Sequence, residues 1–185
     1  MKNIFVTVLV FFISQNTFAV QFWLLQQDKS AITFTASYDD VSFEGVFSDF
    51  DVALTFDPEE LDNSHVKSTV NVTSVNTQSR DRDQALSEPD WFYFKKFPQA
   101  TFISQTFESV KANQFAATGI LQIRDQQHEV TIPFEWTKID NKTARLKSQF
   151  SLDRRNYDIG TGDWKNDKTI GFEVIVNLTL EFRAN

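Results

Sequence analysis

Residues 170–183 read Ile-Gly-Phe-Glu-Val-Ile-Val-Asn-Leu-Thr-Leu-Glu-Phe-Arg. Taken two at a time, Ile170, Phe172, Val174, Val176, Leu178, Leu180 and Phe182 fall on one face. Asn177, Thr179, Glu181 and Arg183 fall on the other. Period-two alternation of this kind marks a strand with one buried face.

The same period recurs in both directions from the middle of the chain. Ile32, Phe34, Ala36 and Tyr38 share a face, as do Val46, Phe50, Val52, Leu54 and Phe56. Further strands are predicted at Val66–Val75, Gln99–Phe107, Phe115–Arg124, Val130–Trp136 and Ala144–Asp153. Asp39-Asp40, Asp57-Pro58, residues 125–128 and Asp140-Asn141 suit the turns between them. Gly45 marks a bend or bulge. The chain is therefore all-β, with about eight antiparallel strands. Closure into a barrel removes the sheet edges, and a barrel of this size is either filled by side chains or wide enough for one small ligand. A two-sheet sandwich satisfies the same periodicity.

Alternation stops at Thr77–Pro98, TQSRDRDQALSEPDWFYFKKFP. A connection this long is functional or disordered in most compact domains, and its aromatics argue against disorder. It is expected to form a short helical flap over one barrel end. Ser87-Glu88-Pro89-Asp90 resembles a helix start, with Ser87 as N-cap.

Residues 1–19 have the layout of a cleaved secretory signal peptide: Lys2, the apolar run Ile4–Ile13, then Thr17-Phe18-Ala19. The run is too short to span a bilayer. The remaining residues, 20–185, fit one domain in the periplasm. There is no cysteine, which excludes disulfides, thiolate metal sites and a cysteine nucleophile. A net charge of -7 with dispersed Lys and Arg excludes a nucleic-acid footprint. Twenty phenylalanines among 185 residues promise an aromatic interior.

Several segments, in order, resemble the YceI-like family of exported, lipocalin-like proteins that bind polyisoprenoids. They are Phe43-Glu44-Gly45-Val46-Phe47 through Phe56-Asp57-Pro58, Thr73–Thr77, Arg82-Asp83 with Leu86, and Asp90-Trp91-Phe92. Phe97–Phe102, Gly119–Ile123 with Val130–Pro133, and Asp153-Arg154 to Asp158-Ile159-Gly160 complete the pattern. Three departures stand out. Phe97 replaces the usual Tyr, residues 125–128 lack the family's Gly, and Asn156-Tyr157-Asp158-Ile159 replaces aromatic-Gly-Ile.

The resemblance implies an antiparallel lipocalin-like β-barrel whose apolar tunnel holds an isoprenoid lipid such as a quinone tail. No other cofactor is implied. On the strands, Phe34 and Tyr38, Phe50 and Leu54, Val70, Phe102, Leu121, Phe134 with Trp136, and Leu152 are expected to line the tunnel. From the flap, Leu86, Trp91, Phe92 and Phe97 either pack its under-surface or touch the lipid. Arg82 and Asp83 either anchor the flap to the rim or meet a polar head group. Competing expectations are an accessory protein with a solid barrel, assisting a membrane redox partner such as a b-type cytochrome, and an enzyme acting on such a lipid. A homodimer is compatible with all of them. Catalytic and metal residues are expected to be none: His65 and His128 lack ligand spacing, and no nucleophile or phosphate-binding motif occurs.

Overall fold

The computed structural model describes residues 21–185. The signal-peptide expectation thus lies outside the described residues. Eleven strands form one antiparallel sheet: β1 (Phe22–Leu25), β2 (Ala31–Tyr38), β3 (Val41–Phe47), β4 (Phe50–Thr55), β5 (His65–Asn71), β6 (Val75–Asn76), β7 (Gln99–Lys111), β8 (Gln114–Ile123), β9 (Gln126–Lys138), β10 (Thr143–Asp153) and β11 (Glu173–Ala184). A single α-helix is described, α1 (Arg80–Leu86).

The eleven strands make eight long runs. β1 and β2 both lie along β11, separated only by a 3₁₀ turn at Gln27–Lys29. β3 runs into β4 across Ser48-Asp49, and β5 runs into β6 across a 3₁₀ turn at Val72–Ser74. Each run pairs with the next in sequence, and β1 closes the ring by pairing with both β4 and β11. The result is a closed antiparallel barrel, not a sandwich.

Two of the kinks hydrogen-bond each other directly, and the third reaches them through Gln27 Nε2, which donates to Ser48 O at 3.5 Å. Asp49 N donates to Ser74 Oγ at 3.0 Å, and Asn71 N donates to Asp49 O at 2.9 Å. On the other side, Gln26 N donates to Glu181 O at 2.8 Å and Glu181 N donates to Ser30 Oγ at 3.0 Å. Backbone groups that leave the ladder at the kinks are thus still satisfied.

The kinks change which residues face inward. Phe43, Gly45 and Phe47 face the interior on β3, whereas Phe50, Val52 and Leu54 do so on β4. Val46, expected inside with Phe50, faces outward, because the break at Ser48-Asp49 shifts the period by one residue. Gly45 is flat strand rather than a bulge. It sits opposite Phe34, whose ring would lie 2.3 Å from any added Cβ. The Asp39-Asp40 turn has both residues left-handed (φ 47° and 61°), as a tight hairpin requires. The β8–β9 turn is Arg124-Asp125, tighter than residues 125–128, so His128 belongs to β9.

One barrel end is solid. Phe56, 1% exposed, takes edge contacts from Phe115, Phe134 and Trp136 at 5.0–5.5 Å between centroids. Trp23 seals the plug, its Nε1 donating to Phe56 O at 2.8 Å. The opposite end lies under residues 77–98.

Outside the wall, Glu181 bridges the β1–β2 break with Arg145 Nη2 at 2.9 Å and Lys29 Nζ at 3.1 Å. Hydrogen bonds from Arg145 and Lys29 hold its carboxyl below the usual value of 4.5. A depressed folded pKa stabilises the fold above the unfolded pKa and loses that contribution as pH falls through the folded one. Glu181→Gln is therefore expected to melt lower than the native protein at pH 7. The two melting curves should converge once the pH falls well below 4.5, which thermal denaturation across pH 2–7 would show.

Candidate functional site

The flap is built in two halves. Its helix lies in the charged half: α1 starts at Ser79, whose side chain accepts from Arg82 N, and Ser87 is its C-cap. The helix expected after Ser87 does not form; residues 87–98 are successive turns. Asp81 and Asp83 occupy the first helical turn of α1, where the exposed N–H groups favour negative charge.

Arg82 and Asp83 both grip Thr77, the residue that leaves β6. Thr77 N and Oγ1 donate to Asp83 Oδ1 at 2.9 and 2.7 Å, while Arg82 Nη2 donates to Thr77 O at 2.9 Å. The Arg82 guanidinium also lies over the Phe43 ring, 4.6 Å from its centroid.

The aromatic half is pinned to two loops. Gly160 N and Thr161 N donate to Asp90 O at 2.7 and 2.9 Å, and Thr161 Oγ1 donates to Asp90 Oδ1 at 2.8 Å. Arg124 Nη1 donates to Trp91 O at 2.9 Å and also to Asp158 O. The Trp91 ring is buried with Tyr157, Ile159 and Ile170 and packs against Trp164, 5.8 Å between centroids.

The loop that receives the flap is organised by Arg154, which is 3% exposed. Its Nε donates to Gly171 O, its Nη1 to Ile159 O and Gly160 O, and its Nη2 to Trp164 O, Asn166 O and Ile170 O, all at 2.7–3.1 Å. Burial lowers its pKa, opposed chiefly by the nearby Asp153 carboxylate. In the sequence Arg154 stands out only as part of the Asp153-Arg154 to Gly160 pattern. Its role depends on six carbonyls that come together only in the fold.

Gly160, at φ 75°, is needed here because an added Cβ would lie 2.3 Å from Arg154 Nη1. At Asp158, where the family pattern has Gly, the backbone keeps the left-handed conformation (φ 52°). Asp tolerates that region better than most residues.

Between the plug and the flap lies a cavity of about 300 Å³. Its lining runs from Ile32 to Tyr38 on β2 and from Val174 to Leu180 on β11, each about 20 Å of strand at ~3.3 Å per residue. Many inward side chains, among them Leu146, Phe150, Val176 and Leu178, keep accessible surface although they face the barrel axis. They border empty space. The interior is hollow, which a solid barrel is not. Tyr38, 42% exposed, marks the mouth between the β2–β3 hairpin and α1.

Of the residues expected at the tunnel, Phe34, Tyr38, Leu54, Val70, Leu86, Trp91, Phe92, Phe102, Leu121, Phe134 and Leu152 lie on this cavity, and so does Arg82. Phe50, Trp136, Phe97 and Asp83 do not. Phe50 and Trp136 are buried in the main core, Trp136 within the aromatic plug. Phe97 packs on Tyr93 outside the lining, with Lys96 and Arg124 over its ring. Asp83 is turned back onto Thr77. Phe43, Phe47 and Trp164 line the cavity without having been expected; for Phe43 and Phe47 the kink at Ser48-Asp49 hid the signal.

Neither histidine lies on the cavity. His65 is exposed at the start of β5, with Nδ1 3.4 Å from Ser104 Oγ. His128 is half-buried, with Nε2 2.7 Å from Asn156 O and its ring edge-on to Tyr157. Among the described residues no cluster of three His, Cys, Asp or Glu is placed to hold a metal ion.

The model of the YceI-like domain matches residues 23–182, almost all of the described chain. The chain belongs to the YceI-like family. Over 88 residues it is 35% identical to Protein YceI of Escherichia coli O157:H7 and 34% identical to that of Salmonella arizonae, each match covering 48% of this chain. The matched stretch spans about half, 46%, of those relatives. Among solved structures, Burkholderia cenocepacia BcnA superposes with a TM-score of 0.81 at 26% identity, covering 85% of this chain and 98% of its own. A polyisoprenoid binding domain from Saccharophagus degradans, implicated in plant cell wall breakdown, gives 0.70 at 12% identity, covering 90% of this chain and all of its own. The second likeness is one of fold.

Gly160→Ala tests the cage around Arg154. It is expected to cost at least ~1–2 kcal/mol from the left-handed backbone alone. Limited proteolysis should then cut first within residues 158–171. An unchanged melting temperature and cleavage pattern would refute this account of the loop.

Proposed function

We propose that this YceI-like barrel is a non-catalytic binder of a polyisoprenoid-type lipid, such as the tail of a quinone, acting in the periplasm as carrier, store or sensor. The observation that carries the reading is the hollow, apolar interior between an aromatic plug and a pinned flap. A flexible hydrocarbon chain gains affinity by removing surface from water, about 0.8 kcal/mol per buried CH₂, and needs no polar partner along its length. Among the described residues Ser68 carries the one aliphatic hydroxyl on the lining, and no carboxylate or histidine is found there.

An enzyme acting on the same lipid would need acid–base or nucleophilic groups against the ligand. Among the described residues the lining offers only the hydroxyls of Tyr38 at the mouth and Ser68, with no histidine or carboxylate on it to activate them, and Arg154 is fully occupied by carbonyls. Export rests on the layout of residues 1–19 and is read as cleavage after Ala19 into the periplasm. The reading requires neither a b-type cytochrome partner nor a homodimer.

Native protein purified from a quinone-competent host is expected to release one isoprenoid-type lipid in near-equimolar amount on organic extraction, identified by mass spectrometry. Protein that comes out empty would overturn the reading. The double variant Trp91→Ala/Phe92→Ala should lose retained lipid per folded molecule more than it loses melting temperature. If melting collapses while retention is unchanged, the flap is core and not a cover.

A further inference from the structure

The barrel wall is not paired evenly all the way round. β9 and β10 pair only from Lys138 with Ala144 to Glu135 with Lys147. Beyond that point β9 stays paired with β8 as far as Gln126, and β10 stays paired with β11 as far as Asp153. Yet among the described residues none of 126–134 pairs with any of 148–153. Pro133 stands where the break begins. In an antiparallel strand alternate residues turn their N–H and C=O to opposite sides. Trp136 N donates to Asn113 O on the β8 side, so Pro133, three residues earlier, faces β10, where it has no N–H to give. A side chain takes over instead, with Ser148 Oγ donating to Pro133 O. At the other end the strand is tied to the loop after β10: His128 Nε2 lies 2.7 Å from Asn156 O, and Gln126 Nε2 donates to Asp158 Oδ2 at 2.8 Å. Between these ties residues 129–133 face residues 149–153 along a seam of about 13 Å, at ~3.3 Å per residue.

The seam is thin on both sides. Inside, Ile132, Phe134, Phe150 and Leu152 line the ligand cavity. Outside, a second cavity of about 210 Å³ opens where the strands part, between residues 133–135 and residues 147–149. Phe134 borders both cavities, so a single ring layer separates the interior from the outer crevice. The flap is held differently. Lifting its aromatic half breaks the bonds from Gly160 and Thr161 to Asp90 and from Arg124 to Trp91, whereas parting the seam breaks no ladder pair. Segments held by fewer buried bonds open at lower free energy. Building on the isoprenoid reading above, we infer that the wall parts between β9 and β10 as a lateral portal, through which the hydrocarbon ligand passes while the flap stays pinned. Ile132, Phe134 and Phe150 form the inner screen of that portal.

The protein has no cysteine, so thiol pairs can be introduced cleanly. Thr131→Cys with Ser151→Cys places two exposed side chains across the seam, continuing the register of Glu135 with Lys147, and a short bis-maleimide staples them. Asp90→Cys with Thr161→Cys replaces the flap's tie by a disulfide, at a point where the two side chains already meet at 2.8 Å. Each protein is stripped of lipid and mixed with retinol, a fluorescent isoprenoid alcohol excited by energy transfer from Trp91 and Trp164 on the lining. Stapling the seam is expected to slow both loading and release about ten-fold or more and to leave Kd within about two-fold, since it blocks a path without removing a contact. The flap disulfide should leave both rates within about two-fold. A second readout needs no variant. In hydrogen exchange of the unmodified protein, the amides of Glu129, Thr131, Gln149 and Ser151 should exchange about ten-fold or more faster than those of Glu135, Thr137, Arg145 and Lys147. Slowing by the flap disulfide but not by the seam staple, equal slowing by both, or equal protection of the two sets of amides would overturn the inference and leave the isoprenoid reading intact. If retinol does not bind the unmodified protein, the isoprenoid reading fails and this inference falls with it.

Discussion

The open end of the barrel depends on one buried cation. Arg154 stands at the end of β10 and spends every guanidinium nitrogen on backbone carbonyls between Ile159 and Gly171. A planar fork of five N–H donors is suited to gathering several carbonyls at once, and hydrogen bonds to a charged donor are about twice as strong as neutral ones. Among the described residues no carboxylate lies in hydrogen-bond contact with it. The carbonyl dipoles together meet the charge, and in return the segment from Tyr157 to Gly171 acquires a fixed path without regular secondary structure.

That path carries the rest of the site. It places Ile159, Trp164 and Ile170 on the cavity and presents Gly160 N and Thr161 N to Asp90. Asp90 and Arg124 then fix Trp91, while Asp83 and Arg82 fix the start of the flap through Thr77. The aromatic half of the cover is therefore tied to the 158–161 loop and the β8–β9 turn, and the charged half to Thr77 where the chain leaves β6. Apart from Arg82, the flap residues on the lining are apolar or aromatic: Ala85, Leu86, Trp91 and Phe92.

The two barrel ends divide the aromatic content between them. At the β1 end, Phe56, Phe115, Phe134, Trp136 and Trp23 interlock edge to face and exclude any ligand. Toward the flap, the inward positions of β2, β3 and β11 are spaced by Ala36, Gly45 and medium aliphatics, and the volume is not filled. A solid core and a ligand cavity are often posed as alternatives for a small barrel; here they sit in series along one axis. The line of kinks at Gln27–Lys29, Ser48-Asp49 and Val72–Ser74 crosses three adjacent runs and bends the wall.

The amino-acid sequence by itself determined the all-β class, eight antiparallel runs, the Asp39-Asp40 turn and the irregular stretch at 77–98. These follow from period-two patterning and local turn chemistry, which act between residues close in the chain. It also marked most of the cavity lining, because inward apolar positions share one parity within each unbroken strand. The tertiary structure alone decided the rest. Parity could not be carried across the break at Ser48-Asp49, so Phe43 and Phe47 were missed and Val46 was placed on the wrong face. Periodicity cannot tell how far along the axis an inward residue lies, so Phe50 and Trp136 could not be separated from the cavity residues. The flap helix formed before Ser87 rather than after it, since Ser79 caps and Thr77 anchors the charged half. Arg154 reads locally as one more surface arginine beside Asp153 and Arg155. What makes it central is the convergence of six carbonyls from as far along the chain as Gly171, and only the folded chain brings them within hydrogen-bond reach.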